Sequence, residues 1–253
     1  MKSRILLLSV CGLAPIMALA DDPPPPPQDV WTGNGQAGYT SSSGNSEGKA
    51  ANAALDMAYL DDAWKHAFHL GGLYGESAGI VAAERWDTSW QSNYDLTKDL
   101  YTFGLLTYRH DLFSGFDYQA SASAGVGYKF IATDTTKLDA QVGVGYQVLR
   151  PENIDKPNGV VLGRTLLPSE SGIAETAAVN YSQALSSTTT LTDKLAVTAS
   201  SADTLVTNAL AVAVKVSTKL ALSVGYALQD NTKPPAGLKR IDTLETVNLV
   251  YSF

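Results

Sequence analysis

From Phe116 to Phe130 the chain alternates without a break. Phe116, Tyr118, Ala120, Ala122, Ala124, Val126, Tyr128 and Phe130 share one parity, and Asp117, Gln119, Ser121, Ser123, Gly125, Gly127 and Lys129 share the other. Successive side chains of a strand point to opposite faces, so this stretch is one strand with one greasy side. The rhythm recurs. Leu138, Ala140, Val142, Val144, Tyr146 and Val148 oppose Asp139, Gln141, Gly143, Gly145 and Gln147. Leu220, Leu222, Val224, Tyr226 and Leu228 oppose Ala221, Ser223, Gly225, Ala227 and Gln229. Two segments are less clean: 99–110 carries large apolar groups on both parities, and Asn208 interrupts the apolar side of 203–215.

Connections alternate in length. Asp61-Asp62, Leu96 to Asp99, Thr133 to Lys137, Ser186 to Thr189 and Val216 to Lys219 are short. Ser41 to Ser46, Glu76 to Ile80, Asp111 to Gly115, Pro151 to Ser169, Ala199 to Ala202 and Asn231 to Arg240 are more varied. Strands are expected at 30–40, 47–60, 63–75, 82–95, 99–110, 116–130, 137–149, 171–184, 188–198, 203–215, 219–229 and 241–253, which makes 12. Several run 11–15 residues, whereas about five or six is usual in soluble domains. Aromatic residues gather near strand ends, as two interfacial girdles require. The expected fold is all-β, a transmembrane antiparallel up-and-down barrel of about 12 strands over residues 30–253, with both termini on the periplasmic side. A soluble β-sandwich is the competing architecture, and it would not need strands this long.

The first 20 residues stand apart. Lys2 and Arg4 precede the apolar run Ile5 to Ala18, and Ala18-Leu19-Ala20 offers small residues for a peptidase. The expectation is a cleaved signal peptide over 1–20. The run is shorter than the roughly 20 residues a spanning helix needs. Cys11, the single cysteine, leaves with it, so no disulfide or thiolate chemistry remains. Losing Lys2 and Arg4 takes the net charge from −7 to −9. So acidic a chain, with no basic stripe, excludes nucleic acid as a partner. Residues 21–29, with five consecutive prolines, are expected to form a stiff periplasmic linker.

The C-terminus places Val247, Leu249, Tyr251 and Phe253 on one parity. A terminal aromatic preceded by apolar residues at two-residue steps is similar to the signal read by the barrel-assembly machinery. The expected location is the Gram-negative outer membrane, reached through the periplasm. The expected partners are that machinery, outer-membrane lipid, and small solutes or ions.

Asp111 to Phe130, with Phe113-Ser114-Gly115-Phe116-Asp117-Tyr118 as its anchor and Gly125-Val126-Gly127-Tyr128 behind it, resembles a bacterial family of salt-induced outer-membrane proteins, a domain of unknown function. Gly44-Asn45-Ser46, the leader and terminal Phe253 agree with it. The resemblance covers roughly residues 30–253. It implies an outer-membrane barrel and supplies no catalytic residue.

The polar parities collect Arg85, Asp87, Gln91, Asn93, Asp117, Gln119, Lys129, Asp139 and Gln141, which are expected to line the lumen. Charges of both signs there either plug the barrel or line a narrow polar path. About 12 strands leave a lumen well below that of a 16–18-stranded porin. The sequence lacks Gly-Lys-[Ser/Thr] and His-Glu-x-x-His, so no cofactor, metal or catalytic residue is expected, and the protein is read as a non-enzyme. By alternation His66 lies on the apolar parity near a rim, His69 faces the lumen, and His110 sits at the mouth of an outer loop. The expected role is a narrow channel or envelope structural protein linked to salt or osmotic stress. The alternatives are a rim-site lipid or peptide hydrolase built on His110-Asp111, and a surface-binding barrel using the apolar loop 151–169.

Overall fold

A computed structural model describes residues 30–42, 48–112, 114–155, 161–234 and 239–253. The expected signal peptide and linker lie outside these residues, as do Gly44-Asn45-Ser46 and Phe113. The strands are β1 (Val30–Ser42), β2 (Gly48–Asp61), β3 (Trp64–Ser77), β4 (Ile80–Asp95), β5 (Leu100–Asp111), β6 (Phe116–Ala132), β7 (Thr136–Asp155), β8 (Gly163–Leu166), β9 (Glu170–Ala184), β10 (Thr189–Ser200), β11 (Thr204–Lys215), β12 (Leu220–Asn231) and β13 (Ile241–Ser252). Among the described residues there is no helix.

Each strand pairs antiparallel with its neighbour, β6 pairs β7, and β1 pairs β13, so the sheet closes on itself. Twelve strands form the wall, and β8 pairs only with the end of β7. Closure gives every wall strand a partner on both sides, which is what a sheet inside hydrocarbon needs. The closing ladder is short. It runs from Asn34↔Ser252 to Ala37↔Leu249, with reciprocal Gly33–Phe253 backbone bonds of 3.0 Å beyond. The β1–β2 ladder, by contrast, runs from Val30↔Leu60 to Ser42↔Gly48.

The turns at 62–63, 96–99, 133–135, 185–188 and 216–219 share one rim with β1's start and β13's end. The opposite strand ends share the other rim, with the connections at 78–79 and 201–203. The hairpin at 78–79 is tight because Ala78 and Gly79 both take positive φ, 51° and 75°. That is the turn whose twist matches the flanking strands, and it favours Asn or Gly over alanine. Ala78→Asn is expected to raise stability by about 0.5 kcal/mol, read as a higher urea midpoint of the refolded barrel.

One expectation needs correcting. The strand placed at 137–149 continues to Asp155, so half of the supposed loop 151–169 is sheet. Glu152↔Leu166 to Asp155↔Gly163 form a hairpin leg standing above the wall. Pro151, Asn153 and Asp155 hide this leg in the sequence, because they are residues that strands ordinarily avoid. Glu152 is buried and ion-paired to Arg164, which pins the leg.

Two faces follow from the alternation. Trp90, Leu106, Val126, Val142, Val144, Ile173, Val224 and Val247 are exposed on the outside, where an apolar belt meets lipid. Trp31, Tyr59, Trp64 and Tyr94 interlock near the short-turn rim. Trp86, Tyr108 and Tyr118 stack near the long-loop rim. These are the two girdles. Inward, Tyr101, Phe103, Phe116, Leu149, Gln119, Gln141 and Gln147 are buried.

Candidate functional site: the lumen

The lumen is lopsided. β4–β7 send long side chains inward, whereas the facing wall is built of small ones. Ala209, Ala211 and Ala213 of β11 pair across from Ala227, Gly225 and Ser223 of β12. Beneath the long side chains, β6 and β7 offer glycine. A Cβ at Gly127 would strike the Tyr101 ring, and one at Gly143 would come within 2.9 Å of Phe103 Cζ. Both rings therefore lie flat on a floor without side chains.

Two polar clusters result. Toward the long-loop rim, His69 bridges two carboxylates, with Nδ1 2.7 Å from Asp56 and Nε2 3.3 Å from Asp87. Arg85 Nε stands 3.7 Å from Asp87. Arg109, opposite Asp87 in the β4–β5 register, donates from Nη1 to Gln229 Oε1 at 2.7 Å. β5 and β12 are six strands apart whichever way round the barrel is followed. Arg109 thus reaches across the whole lumen.

Toward the short-turn rim, Lys129 Nζ pairs with Asp95 at 2.6 Å. Tyr101 donates to Asp139 at 3.2 Å and lies 3.3 Å from Gln141 Oε1. Gln91 Nε2 donates to Gln141 and to Asn93, each at 2.9 Å. Asn180 donates to Asp139 at 2.9 Å.

Of the nine residues expected on the lumen, side-chain contacts group Arg85 with Asp87 and Gln91 with Asn93 and Gln141, and the register sets Lys129 opposite Asp139. Gln119 is buried on the same inner face. Asp117 is placed elsewhere. Register shifts between Arg109/Asp111 and Phe116/Tyr118 break the alternation there. The Asp117 carboxylate stands 3.8 Å from His110 Nδ1, on the side of Trp86 and Tyr108. Sequence reasoning overlooked Asp56, Asp95, Tyr101, Arg109, Asn180 and Gln229. In β5 both parities are bulky, so Tyr101, Phe103 and Arg109 look no more inward than Leu106 or Tyr108. Only the pairing of Asp87 with Arg109 marks the lumen side.

The outer-rim histidine does not assemble a hydrolytic set. His110 Nδ1 engages the Asp117 carbonyl at 2.5 Å, and the nearby Ser114 hydroxyl donates to the Asp111 carbonyl at 2.9 Å. Asp111 faces the lumen in register with Arg85, away from His110. Among the described residues no cluster of His, Cys, Asp and Glu is arranged to hold a metal ion.

Closed pairing, an apolar outer belt and an ion-paired interior together define a membrane-spanning β-barrel. The chain belongs to the family described as protein of unknown function, DUF481, whose model matches residues 35–253. No curated protein matches the sequence. Among solved structures, an outer membrane channel from Pseudomonas putida F1 is similar over 90% of this chain and 96% of that one, at 11% identity and a TM-score of 0.49. The NanC porin is similar over 88% and 98%, at 10% identity and 0.47. The translocator domain of the autotransporter NalP from Neisseria meningitidis is similar over 89% and 87%, at 16% identity and 0.47. At these identities the likeness is one of fold.

Proposed function

We propose that this chain is a narrow, gated path for small polar solutes or ions across the outer membrane of a Gram-negative cell, and not an enzyme. On this reading the short-turn rim and both termini face the periplasm. The Val247, Leu249, Tyr251 and Phe253 edge serves as the segment handed to the barrel-assembly machinery. The observation that carries the reading is the Arg109–Gln229 bridge. It spans the lumen at one level, and the wall that carries Gln229 is lined by small residues. Gln119 Nε2 and Oε1, Ser123 Oγ and Gln147 Oε1 are buried with no protein partner. They lie on the packed side of the interior, where Tyr101, Phe103 and Leu149 are buried too, so the path runs along the alanine-rich wall. Ion pairs along such a path weaken as salt rises, which suits a passage that responds to ionic conditions.

Single-channel recording in planar bilayers tests it. The wild-type barrel is expected to show small conductance steps. Arg109→Ala, which removes the bridge while leaving a small residue on a β5 that stays paired on both sides, is expected to raise conductance severalfold. If correctly folded wild-type and Arg109→Ala barrels are both silent, the reading fails.

A further inference from the structure

On β10 the outward residues read Leu191, Asp193, Leu195, Val197. On β11 they read Val206, Asn208, Leu210, Val212, Val214. A carboxylate and an amide therefore face outward, with Leu191, Leu195 and Leu210 around Asp193 and Tyr181 across from it on β9. Their outward direction is fixed by their neighbours. Lys194 is in register with Asn180, which bonds Asp139 in the lumen, so Asp193 points the other way. Asn208 Nδ2 donates to Asp193 Oδ1 at 2.6 Å. Among the described residues the other Asp193 oxygen and the Asn208 amide oxygen carry no hydrogen bond. An ionisable group facing hydrocarbon is costly and calls for a polar partner.

A second observation concerns the same side of the barrel. All four tryptophans, Trp31, Trp64, Trp86 and Trp90, lie on β1, β3 and β4. Interfacial aromatics anchor a barrel wall in lipid. The wall of β9–β11 has Tyr181 alone among its outward aromatics, and it presents small groups such as Ala177 and Ala199, with Glu175 between them toward the long-loop rim. It has the composition of a wall that meets protein: small residues for close approach and a polar pair as glue.

We propose that β9–β11 form a self-association face and that its occupant is a second copy of this chain. The pair is self-complementary. About a local two-fold axis, the Asn208 amide of one copy donates to the free Asp193 oxygen of the other, and the reverse contact forms at the same time. Each carboxylate then gains the donor that lipid cannot offer. This inference rests on the fold alone and is independent of whether the lumen conducts.

The test is self-association of the full mature barrel in lipid bilayers, counted by single-molecule photobleaching over a range of protein-to-lipid ratios. The wild type is expected to populate dimers. Asp193→Leu/Asn208→Leu, with both partners replaced by apolar groups, is expected to fold and to need roughly tenfold more protein per lipid to dimerise. Leu195→Cys gives a second readout. In an otherwise cysteine-free mature chain, it is expected to cross-link between copies with a short bismaleimide, whereas Leu106→Cys, outward on β5 and four strands from β10, is not. A wild type that stays monomeric at every ratio, a double variant that associates like the wild type, or cross-linking through Leu106→Cys in preference to Leu195→Cys each overturns the proposal.

Discussion

Replacing Gly145 by alanine is expected to lower the stability of the barrel by about 3 kcal/mol or more, at the top of the range for overpacked interiors. A Cβ at this position would lie 2.6 Å from both Cα and Cβ of Ser123, and closer still to the Ala122 carbonyl. The obstruction is backbone of the partner strand, so no rotamer change relieves it. β6 and β7 would have to separate at Ser123↔Gly145, in the middle of their long shared ladder. Gly104 is the matched control. It lies on the outer face of β5, and a Cβ there meets nothing within 4 Å. Gly104→Ala is expected to be neutral or to gain about 0.5–1 kcal/mol, the ordinary benefit of removing a strand glycine. Urea titration of protein refolded into liposomes, followed by tryptophan fluorescence, reads both. Equal midpoints for the two variants would show that the close approach of β6 and β7 carries no energetic weight.

The second large effect concerns the belt. Val142 is 59% exposed on the outer face of β7, with Ala140 and Val144 as its outward neighbours along the strand. Val142→Arg places a guanidinium against acyl chains, and the cost at the bilayer midplane is about 2–4 kcal/mol. Leu162 is more exposed, at 69%, yet it belongs to the β7–β8 leg above the wall. Leu162→Arg is therefore expected to cost nothing measurable. A soluble β-sandwich would respond in the reverse sense, since an outward arginine there meets water. Unchanged unfolding of Val142→Arg in liposomes would contradict the membrane reading of the outer face.

Much of this architecture was legible because a closed barrel repeats one rule. Every wall strand has a wet side and a lipid side, and clean segments such as 116–130 and 138–148 display the rule openly. The lumen was legible only where inward residues are polar. Tyr101 and Phe103 are inward and aromatic because the glycines of β6 and β7 make room for them. An inward aromatic over a glycine floor looks, in sequence, like an outward one. Asp117 was misplaced for another reason. Two irregularities in pairing fall within a few residues of it, and a single extra residue exchanges inside for outside. The β7–β8 leg escaped notice because Pro151, Asn153 and Asp155 interrupt it with residues that strands ordinarily avoid.

The short ladder between β1 and β13 bears on how the tube comes into being. Every other pairing in the wall joins successive wall strands, so each zips with little loop entropy to lose. The closing seam joins residues about two hundred apart, as the Asn52–Asn248 and Asn248–Gln36 contacts measure it. Such a meeting is the slowest step available to the chain. It is also the step with the fewest rungs to reward it, and its unzipped stretch lies toward the long-loop rim, where water and headgroups can satisfy the backbone. The line along which the cylinder is last fastened is thus the line along which it parts most cheaply.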